Sequence, residues 1–324
     1  MLAGRVTSRS VLILGGTRFV GRHIAAAMLG AGHQVTIFNR GRTAPGLFAS
    51  AEELRGDRDG DLGSLVGRRW DTVIDTSGLR ADQVQRSAEL LASAAHYVFI
   101  SSVAVYRAGG ATEYTEDEPL RPPPAAGERS YGEHKIGCEL EVAGRFGGRA
   151  TILRPAVLVG PHDPSGRFIR WPLRAREGGE MLVPGGPREI VPLADARDLA
   201  AWVVQVVEAK IFGVYNVAGP RRTMGDLVGC CVERSGVRVD LEWVDADWLL
   251  PRYSDFGDVP PLRSAGYQRC SSARATARGL RFRGLELTVD DSLAWWDAAP
   301  PRRLRDLGRA HERELLAEWR GRAR

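Results

Sequence analysis

Residues 11–21 read Val-Leu-Ile-Leu-Gly-Gly-Thr-Arg-Phe-Val-Gly, and this stretch decides the fold. Its four leading apolar residues predict a buried strand, and residues 20–29 have the pattern of a helix. Glycines between strand and helix permit a tight turn, and the amides that open the helix can bind a pyrophosphate. Arg18 replaces the usual middle glycine and adds a cation beside these phosphates. The flanking pattern favours a dinucleotide site over a plain turn, formed by Gly15, Thr17, Arg18, Phe19, Val20 and Gly21.

The first half of the chain continues this alternation of short apolar runs and helices. Further strands are predicted at residues 34–38, 71–75, 96–102 and 150–154, and helices at 81–94 and 131–146. Such alternation is typical of a doubly wound α/β fold with a parallel sheet, the Rossmann type. Residues 107–128 are rich in Gly, Pro and acids, which predicts a surface excursion.

The pattern changes after Pro155, where Gly and Pro become frequent and predict a smaller, irregular lobe. An apolar helix at 198–208 and a strand at 214–217 then return to the earlier pattern. We therefore predict a Rossmann domain at residues 1–158, rejoined by about 190–220. The remainder, 159–324, is predicted to form a partly discontinuous substrate lobe with C-terminal helices.

Composition predicts an ordinary globular protein, with 44% hydrophobic and 26% charged residues. No apolar run approaches the roughly 18 residues of a membrane span, and no signal-peptide plan is present, so we expect a cytoplasmic protein without membrane contact. The four cysteines lack metal-ligand spacing, so no metal site is expected. Residues 302–324 carry eight arginines against four acids, a pattern that favours a solvated helix face over a nucleic-acid surface.

Lysine is scarce in this chain, at two residues against 43 arginines, and Lys135 lies four residues after Tyr131. This spacing puts the phenol and the ammonium on one helix face. A nearby cation lowers a tyrosine pKa from about 10 toward neutrality, which makes the phenol a usable acid or base. At the end of the preceding strand, the Ser102 hydroxyl can bond the same substrate oxygen as Tyr131. A chance pair is the alternative, because this spacing is common.

The end of the second strand bears on the choice of cofactor. NAD sites usually place an acid there to bind the ribose 2′-hydroxyl, whereas this chain has Asn39 and Arg40. Arginine suits a 2′-phosphate, so NADP is favoured and NAD is not excluded. Asp57 and Arg58 end the next strand and turn, where they are candidates for the adenine edge.

The chain contains four motifs in order: the glycine turn, Ser101-Ser102-Val103-Ala104-Val105-Tyr106, Tyr131 with Lys135, and Leu153-Arg154-Pro155. Together they resemble the extended short-chain dehydrogenase/reductase superfamily and, more narrowly, the NAD-dependent epimerase/dehydratase family. The resemblance covers about residues 10–220 and implies that Tyr131 is the acid/base, Lys135 holds the nicotinamide ribose and Ser102 polarises the reacting oxygen. It also implies a homodimer and cofactor contacts from Ser77, Gly78, Ser101, Pro155, Ala156 and Val157.

Departures from the family pattern narrow the expected activity. Val103 and Ala104 stand where nucleotide-sugar 4,6-dehydratases have an Asp-Glu pair, so that class is disfavoured. Val191 stands where such enzymes commonly place a diphosphate-binding arginine, which leaves Arg167, Arg170 and Arg188 as candidates for a phosphate pocket, with surface arginine as the alternative. Glu113, Glu116 and His162, in flanking loops, are candidates for a different elimination.

We therefore expect an NAD(P)-dependent epimerase or reductase that transfers hydride at a secondary alcohol or ketone. The expected substrate is a sugar, a sugar nucleotide or a nucleoside-like molecule. A lyase or dehydratase with a transient keto intermediate is one alternative. A cofactor-binding regulatory or RNA-associated protein is another, because Gly-Gly-Thr-Arg-Phe-x-Gly is also reminiscent of an atypical branch that includes plastid RNA-associated proteins.

Overall fold

The structure is a computed structural model that describes residues 8–107, 109, 113–122, 130–252, 269–298 and 307–322. These residues belong to two compact units. The first unit is drawn from Met1–Leu158, Ala196–Ala218 and Cys270–Arg281. The second is drawn from Val159–Asp195, Gly219–Arg269 and Phe282–Arg324.

The first unit is built on a seven-stranded sheet. Its strands are β1 (Ser10–Leu14), β2 (Gln34–Asn39), β3 (Glu52–Arg55), β4 (Thr72–Asp75), β5 (His96–Ile100), β6 (Ala150–Pro155) and β11 (Gly213–Val217). They lie in the order β3-β2-β1-β4-β5-β6-β11, and every neighbouring pair is parallel. The strand order reverses between β1 and β4, as in a dinucleotide-binding sheet. The Rossmann-type fold expected from the sequence is confirmed.

Helices flank this sheet. They are α1 (Phe19–Gly30), α2 (Ala81–Leu90), α3 (Tyr131–Phe146), α5 (Ala196–Glu208) and α8 (Ala273–Ala277). Helix α1 packs on α5, and α2 packs on α3. Helix α3 begins at the predicted residue because the Ser130 and Glu133 side chains each accept a hydrogen bond from the other residue's amide. Helix α2 ends earlier than predicted, since the Ala94 amide bonds to the Leu91 carbonyl in a tight turn.

A strand and turn were predicted to end at Asp57 and Arg58, but the bounds of β3 were not predicted, because its sequence, Glu-Glu-Leu-Arg, has no apolar run. It lies at the edge of the sheet, where only one side is paired, and its register with β2 comes from tertiary pairing rather than local pattern. The central strands behave differently. Strands β4, β5 and β6 are buried along their whole length, as expected of parallel strands covered on both faces.

The second unit contains shorter elements. They are α4 (Arg170–Arg176), β8 (Gly179–Pro184), β9 (Ile190–Val191), β10 (Leu193–Asp195), β12 (Arg222–Thr223), α6 (Met224–Ser235), β13 (Val239–Val244), α7 (Ala246–Leu249), α9 (Leu285–Asp297) and α10 (Arg309–Gly321); β7 (Val157–Val159) precedes them in the chain. Strands β8 and β13 pair in parallel, and α4, α6 and α9 pack together. In α10, Leu315 and Leu316 are buried, as the amphipathic pattern predicts. Within the described ranges, every helix is too short or too polar to cross a membrane.

His96 at the start of β5 makes folding stability depend on pH. His96 is 2% exposed, and its Nε2 lies 2.7 Å from the Thr151 hydroxyl. Burial lowers the pKa of His96 from its ordinary 6.5 to about 4. Between these two values the unfolded chain binds a proton that the folded chain does not bind. Stability from this residue is therefore complete above about pH 6.5 and is lost as the pH falls toward 4.

We expect wild-type protein to lose about 2 kcal/mol of unfolding free energy from this one residue between roughly pH 7 and pH 5. The variant His96→Gln removes the titration, so its unfolding free energy changes less over the same interval. Urea unfolding of both proteins at the two pH values measures the difference. Equal pH dependence in the two proteins would contradict the assignment.

Candidate functional site

The glycine turn between β1 and α1 lies where the strand order reverses, and sheets of this type bind ligands in the crevice at that point. Gly15 and Gly16 have φ angles of +111° and +93°, which side chains rarely tolerate. A Cβ atom on Gly21 would lie 2.6 Å from the Gly16 amide nitrogen. The turn therefore requires glycine at these positions and leaves its backbone open to close approach.

The start of α1 is suited to an anion. Its N-cap, Arg18, makes no side-chain capping bond, and the first turn contains no acid. The amides of this turn have no intrahelical partners and carry the positive end of the helix dipole. Arg18 is exposed and Thr17 is buried beside it. The structure thus brings the predicted turn residues together: Gly15, Thr17, Arg18, Phe19, Val20 and Gly21.

The end of β2 offers an unused donor. The Asn39 side-chain oxygen accepts a bond from the Gly41 amide at 2.6 Å, while its buried Nδ2 has no partner among the described residues. Arg40 and Arg42 are both exposed next to it. A buried amide without an acceptor is costly unless a ligand or water supplies one. This end of the sheet therefore offers one hydrogen-bond donor and two cations to a ligand.

Arg58 differs from its predicted place. Arg58 is 7% exposed; Nη1 lies 2.5 Å from a carboxylate oxygen of Asp75, and Nη2 donates to the Ser87 hydroxyl at 2.8 Å. The Arg58 donors that were expected at the adenine edge are thus bound inside the protein, because the guanidinium forms an ion pair with the buried Asp75 carboxylate. Asp57 is half-buried and stays a candidate for that edge.

Asp75, at the end of β4, is completely buried and organises the following turn. Besides Arg58 it accepts bonds from the Tyr97 hydroxyl at 2.9 Å and from the amides of Ser77 and Gly78 at 3.0 and 2.9 Å. Burial alone would raise the pKa of this carboxyl, but the Arg58 charge and these hydrogen bonds hold it below its ordinary value. The two predicted cofactor contacts after β4 therefore lie on a turn held by a buried carboxylate.

Lys135 and Tyr131 lie together on α3. The Lys135 side chain is 3% exposed, and Nζ donates to the carbonyls of Gly78 at 2.8 Å and Ile100 at 2.9 Å. An ammonium has three donors, so one remains for a ligand. Nζ lies 5.9 Å from the centre of the Tyr131 ring, and Tyr131 is 54% exposed. Burial lowers the pKa of Lys135 below its usual value, while the charge of Asp75 acts in the opposite direction.

Ser102 begins the short turn Val103–Val105 after β5. It is half-buried, and its oxygen accepts a bond from the Ala104 amide at 3.1 Å, which leaves the hydroxyl proton to donate. Gly132 of α3 lies so close to the Ala104 carbonyl that a Cβ would overlap it. The start of the tyrosine-bearing helix therefore lies against the serine turn, and Ser102, Tyr131 and Lys135 belong to one region.

The remaining predicted contacts of the first unit lie on β5, β6 and the residues after them. Pro155 ends β6, the Ala156 amide bonds to the Val217 carbonyl at 3.0 Å, and Val157 opens β7. Ser101 is 3% exposed, and its hydroxyl donates to Glu139 rather than standing open.

Three buried charged residues of this region were missed by sequence reasoning: Asp75, Glu139 and Arg154. Asp75 and Arg154 interrupt or end apolar strand sequences, where a charged residue is rarely buried unless it is paired. Glu139 lies four residues after Lys135 in the sequence. These features were visible in the sequence, but the partners were not, since each partner lies on a different element.

The phosphate candidates and the elimination candidate His162 lie in the second unit. The His162 ring packs edge-on against Trp295 at 5.2 Å between centroids, and Arg167 Nε donates to the Ser165 hydroxyl at 3.1 Å. Arg170 is buried at 8% exposure, whereas Arg188 is exposed. A shared phosphate pocket of the three arginines stays a prediction.

Several known proteins are similar to this chain over most of its length. Chloroplast stem-loop binding protein of 41 kDa b from Arabidopsis thaliana is 28% identical over 251 residues, 71% of this chain and 64% of that protein. The dTDP-6-deoxy-L-talose 4-dehydrogenase (NAD(P)(+)) of Kitasatospora kifunensis is 29% identical, over 76% of this chain and 85% of that enzyme. Among solved structures, the Bordetella bronchiseptica enzyme WbmH in complex with NAD+ superposes with a TM-score of 0.70, at 19% identity over 90% of this chain and 99% of that one.

The model of one protein family matches the part of the chain that carries this site. It is the NAD dependent epimerase/dehydratase family, and the match covers residues 11–218, from β1 through β11. That span is well over half of the 324 residues and confirms the resemblance seen in the sequence motifs. The chain belongs to the NAD dependent epimerase/dehydratase family of enzymes.

Proposed function

We propose that the protein catalyses NAD(P)-dependent hydride transfer at a secondary alcohol or ketone of a sugar nucleotide, as an epimerase or a reductase. The observation that carries this proposal is the grouping of Tyr131 and Lys135 on α3 beside the Ser102 turn. An exposed phenol, a buried ammonium and a serine hydroxyl supply the acid/base, the charge and the hydrogen-bond donor that such a reaction needs.

Each of the three side chains has one task in this proposal. Tyr131 takes the proton from the substrate hydroxyl on oxidation and returns it on reduction. Ser102 donates a hydrogen bond to the same oxygen and stabilises the charge that develops there. Lys135 holds the ribose of the cofactor with its remaining donor and presents its positive charge to the phenol. The nicotinamide, when bound, accepts or supplies the hydride.

The sugar-nucleotide class is supported by the Kitasatospora relative, whose name states that it oxidises a dTDP-6-deoxy sugar at position 4. Elimination of the 4,6-dehydratase type is disfavoured, because Val103 is buried and apolar and Ala104 has no proton to exchange. We extend the proposal to a substrate lobe in the second unit and to a homodimer. A lyase with a transient keto intermediate uses the same three groups and stays the first alternative.

The test begins with the purified protein. We expect nucleotide released by denaturation to have the mass of a nicotinamide dinucleotide, or the empty protein to bind NADPH with quenching of protein fluorescence. Incubation with dTDP- and UDP-hexoses should then give either a changed absorbance of the reduced cofactor or an epimer visible by NMR. Absence of nucleotide binding, or of any turnover across this panel, contradicts the proposal.

NADP preference rests on the two exposed arginines after β2, with no acid at that strand end. We expect the double variant Arg40→Ser/Arg42→Ser to weaken NADPH binding about tenfold or more, because charge-assisted bonds to a 2′-phosphate are lost. Binding of NADH should change little. Fluorescence titration with both cofactors measures this, and Arg238→Ser, an exposed arginine of the second unit, is the control. Equal weakening for NADPH and NADH contradicts the preference.

A second candidate function is binding of structured RNA, because the Arabidopsis relative is named as a stem-loop binding protein. The Gly-Gly-Thr-Arg-Phe-x-Gly motif, which is reminiscent of plastid RNA-associated proteins, contains Arg18, and Arg18 is exposed at the start of α1. A gel shift with a stem-loop RNA that persists in Tyr131→Phe would favour it, and competition by NADPH would locate the RNA at the glycine turn. No shift at low salt excludes this candidate.

A further inference from the structure

The carboxylate of Glu139 joins helix α3 to the ends of two strands. Oε1 accepts bonds from the Ser101 hydroxyl at 2.5 Å and from Arg154 Nε at 3.0 Å, and Oε2 accepts from Arg154 Nη2 at 2.7 Å. All three residues are at most 5% exposed. A two-pronged arginine–carboxylate pair fixes direction as well as distance. The Glu139 carboxylate therefore links helix α3 both to Ser101, which follows β5, and to Arg154 on β6.

The hydrogen-bond network continues from Arg154 to strand β11. Arg154 Nη1 donates to the Tyr106 hydroxyl at 3.0 Å, and this hydroxyl donates to the Asn216 side chain on β11 at 2.7 Å. Tyr106 and Asn216 are completely buried. A buried polar network in which each of these groups is paired is rigid, because every displacement leaves a polar group without a partner.

One face of α3 contacts the last residue of β5 and the turn that follows it. Gly132, Lys135 and Glu139 are three and four positions apart, which places them on the same face. Lys135 bonds to the carbonyl of residue 100, Glu139 to the hydroxyl of Ser101, and Gly132 lies against the carbonyl of residue 104. Ser102 lies between these contacted residues, next to Ser101, whose hydroxyl donates to Glu139.

We infer that Glu139 and Ser101 are positioning residues that keep the Ser102 hydroxyl in register with Tyr131 and Lys135, an inference that rests on the proposed function. Ser101 touches neither substrate nor cofactor in this role, although its place in the sequence motif suggested a cofactor contact. Arg154 acts through Glu139, holding the carboxylate so that it presents one oxygen to Ser101. A displacement of reacting groups by about 1 Å can cost on the order of 100-fold in rate, so a lost fastening has a measurable effect.

The test uses the full chain and four variants. Ser101→Ala removes the hydroxyl and leaves the Glu139–Arg154 pair intact, while Ser101→Thr keeps a hydroxyl and is the conservative rescue. Ser292→Ala is the matched control, because it also removes a fully buried serine hydroxyl, in this case from α9 of the second unit. Glu139→Gln is added as the stronger variant, with circular dichroism to establish that it folds.

For Ser101→Ala we expect kcat to fall about tenfold, with KM for the sugar nucleotide and Kd for the cofactor unchanged. The peptide that spans residues 101–106 should exchange its amide hydrogens faster, and Ser101→Thr should restore both readouts. A Ser101→Ala protein that matches Ser292→Ala in kcat and in exchange would overturn the inference. A weakened cofactor Kd would overturn it as well and assign Ser101 to the cofactor site.

Hydrogen exchange separates this inference from the proposed function, since it needs no substrate. If wild-type protein turns over no sugar nucleotide, the proposed function fails. Faster exchange at residues 101–106 in Ser101→Ala and Glu139→Gln, but not in Ser292→Ala, then still supports the fastening of this turn. Unchanged exchange in both variants refutes it.

Discussion

Replacing Tyr131 with phenylalanine is expected to lower kcat by about 100- to 10,000-fold, the range that a positioned acid or base contributes. The phenyl ring keeps its place at the start of α3 and loses only the hydroxyl. Since Tyr131 is more than half exposed, folding stability should hardly change. Initial-rate kinetics with the substrate identified in the panel, together with fluorescence titration of the cofactor, measures the two effects separately.

Tyr215→Phe is the matched control for this prediction. Tyr215 is a buried tyrosine on β11 whose hydroxyl donates to the Phe212 carbonyl at 2.9 Å, away from the serine turn. Its variant should turn over substrate at the wild-type rate. Full activity in Tyr131→Phe would remove the acid/base from the mechanism, and lost cofactor binding in that variant would assign the phenol to binding instead.

Replacing Asp75 with asparagine is expected to cost about 3 kcal/mol of unfolding free energy, because the buried Arg58 guanidinium is left without its counter-charge. Asparagine retains an oxygen for the amides of Ser77 and Gly78, so the cost comes mainly from the charge. Urea unfolding with linear extrapolation gives the difference. A second change, Arg58→Met, removes the unpaired charge, and the double variant should regain most of the loss.

The control for the Asp75 prediction is an exposed ion pair. Asp297 and Arg176 are 53% and 37% exposed, and salt bridges in such settings contribute little. Asp297→Asn should therefore leave the unfolding midpoint unchanged. Additive effects of the Asp75 and Arg58 changes in the double variant would contradict the energetic coupling that the contacts imply.

The fold was predictable because its determinants are local. The apolar run of β1, the glycine turn and the capping box of α3 each lie within a few residues of sequence. The bounds of strand β3 and the early end of α2 were not predicted, since the bounds of β3 depend on pairing with β2 and the end of α2 depends on a tight turn.

The candidate site shows the same division. Tyr131 and Lys135 share a helix, so their proximity follows from spacing alone. Arg58 was expected to face a ligand because it follows a strand, yet a buried acid 17 residues away binds it first. The Glu139 contacts span 38 residues to Ser101 and 15 to Arg154, and periodicity carries no information about such partners.

The two carbonyls that hold the Lys135 ammonium also restrict which residue can stand there. One belongs to Gly78 in the turn after β4 and the other to Ile100 at the end of β5, and each is within 2.9 Å of a single nitrogen atom. A compact ammonium can donate in both directions from one point, whereas a planar guanidinium is wider and directs its donors within one plane. Although the chain has 43 arginines, the placement of these two carbonyls therefore favours lysine over arginine at position 135.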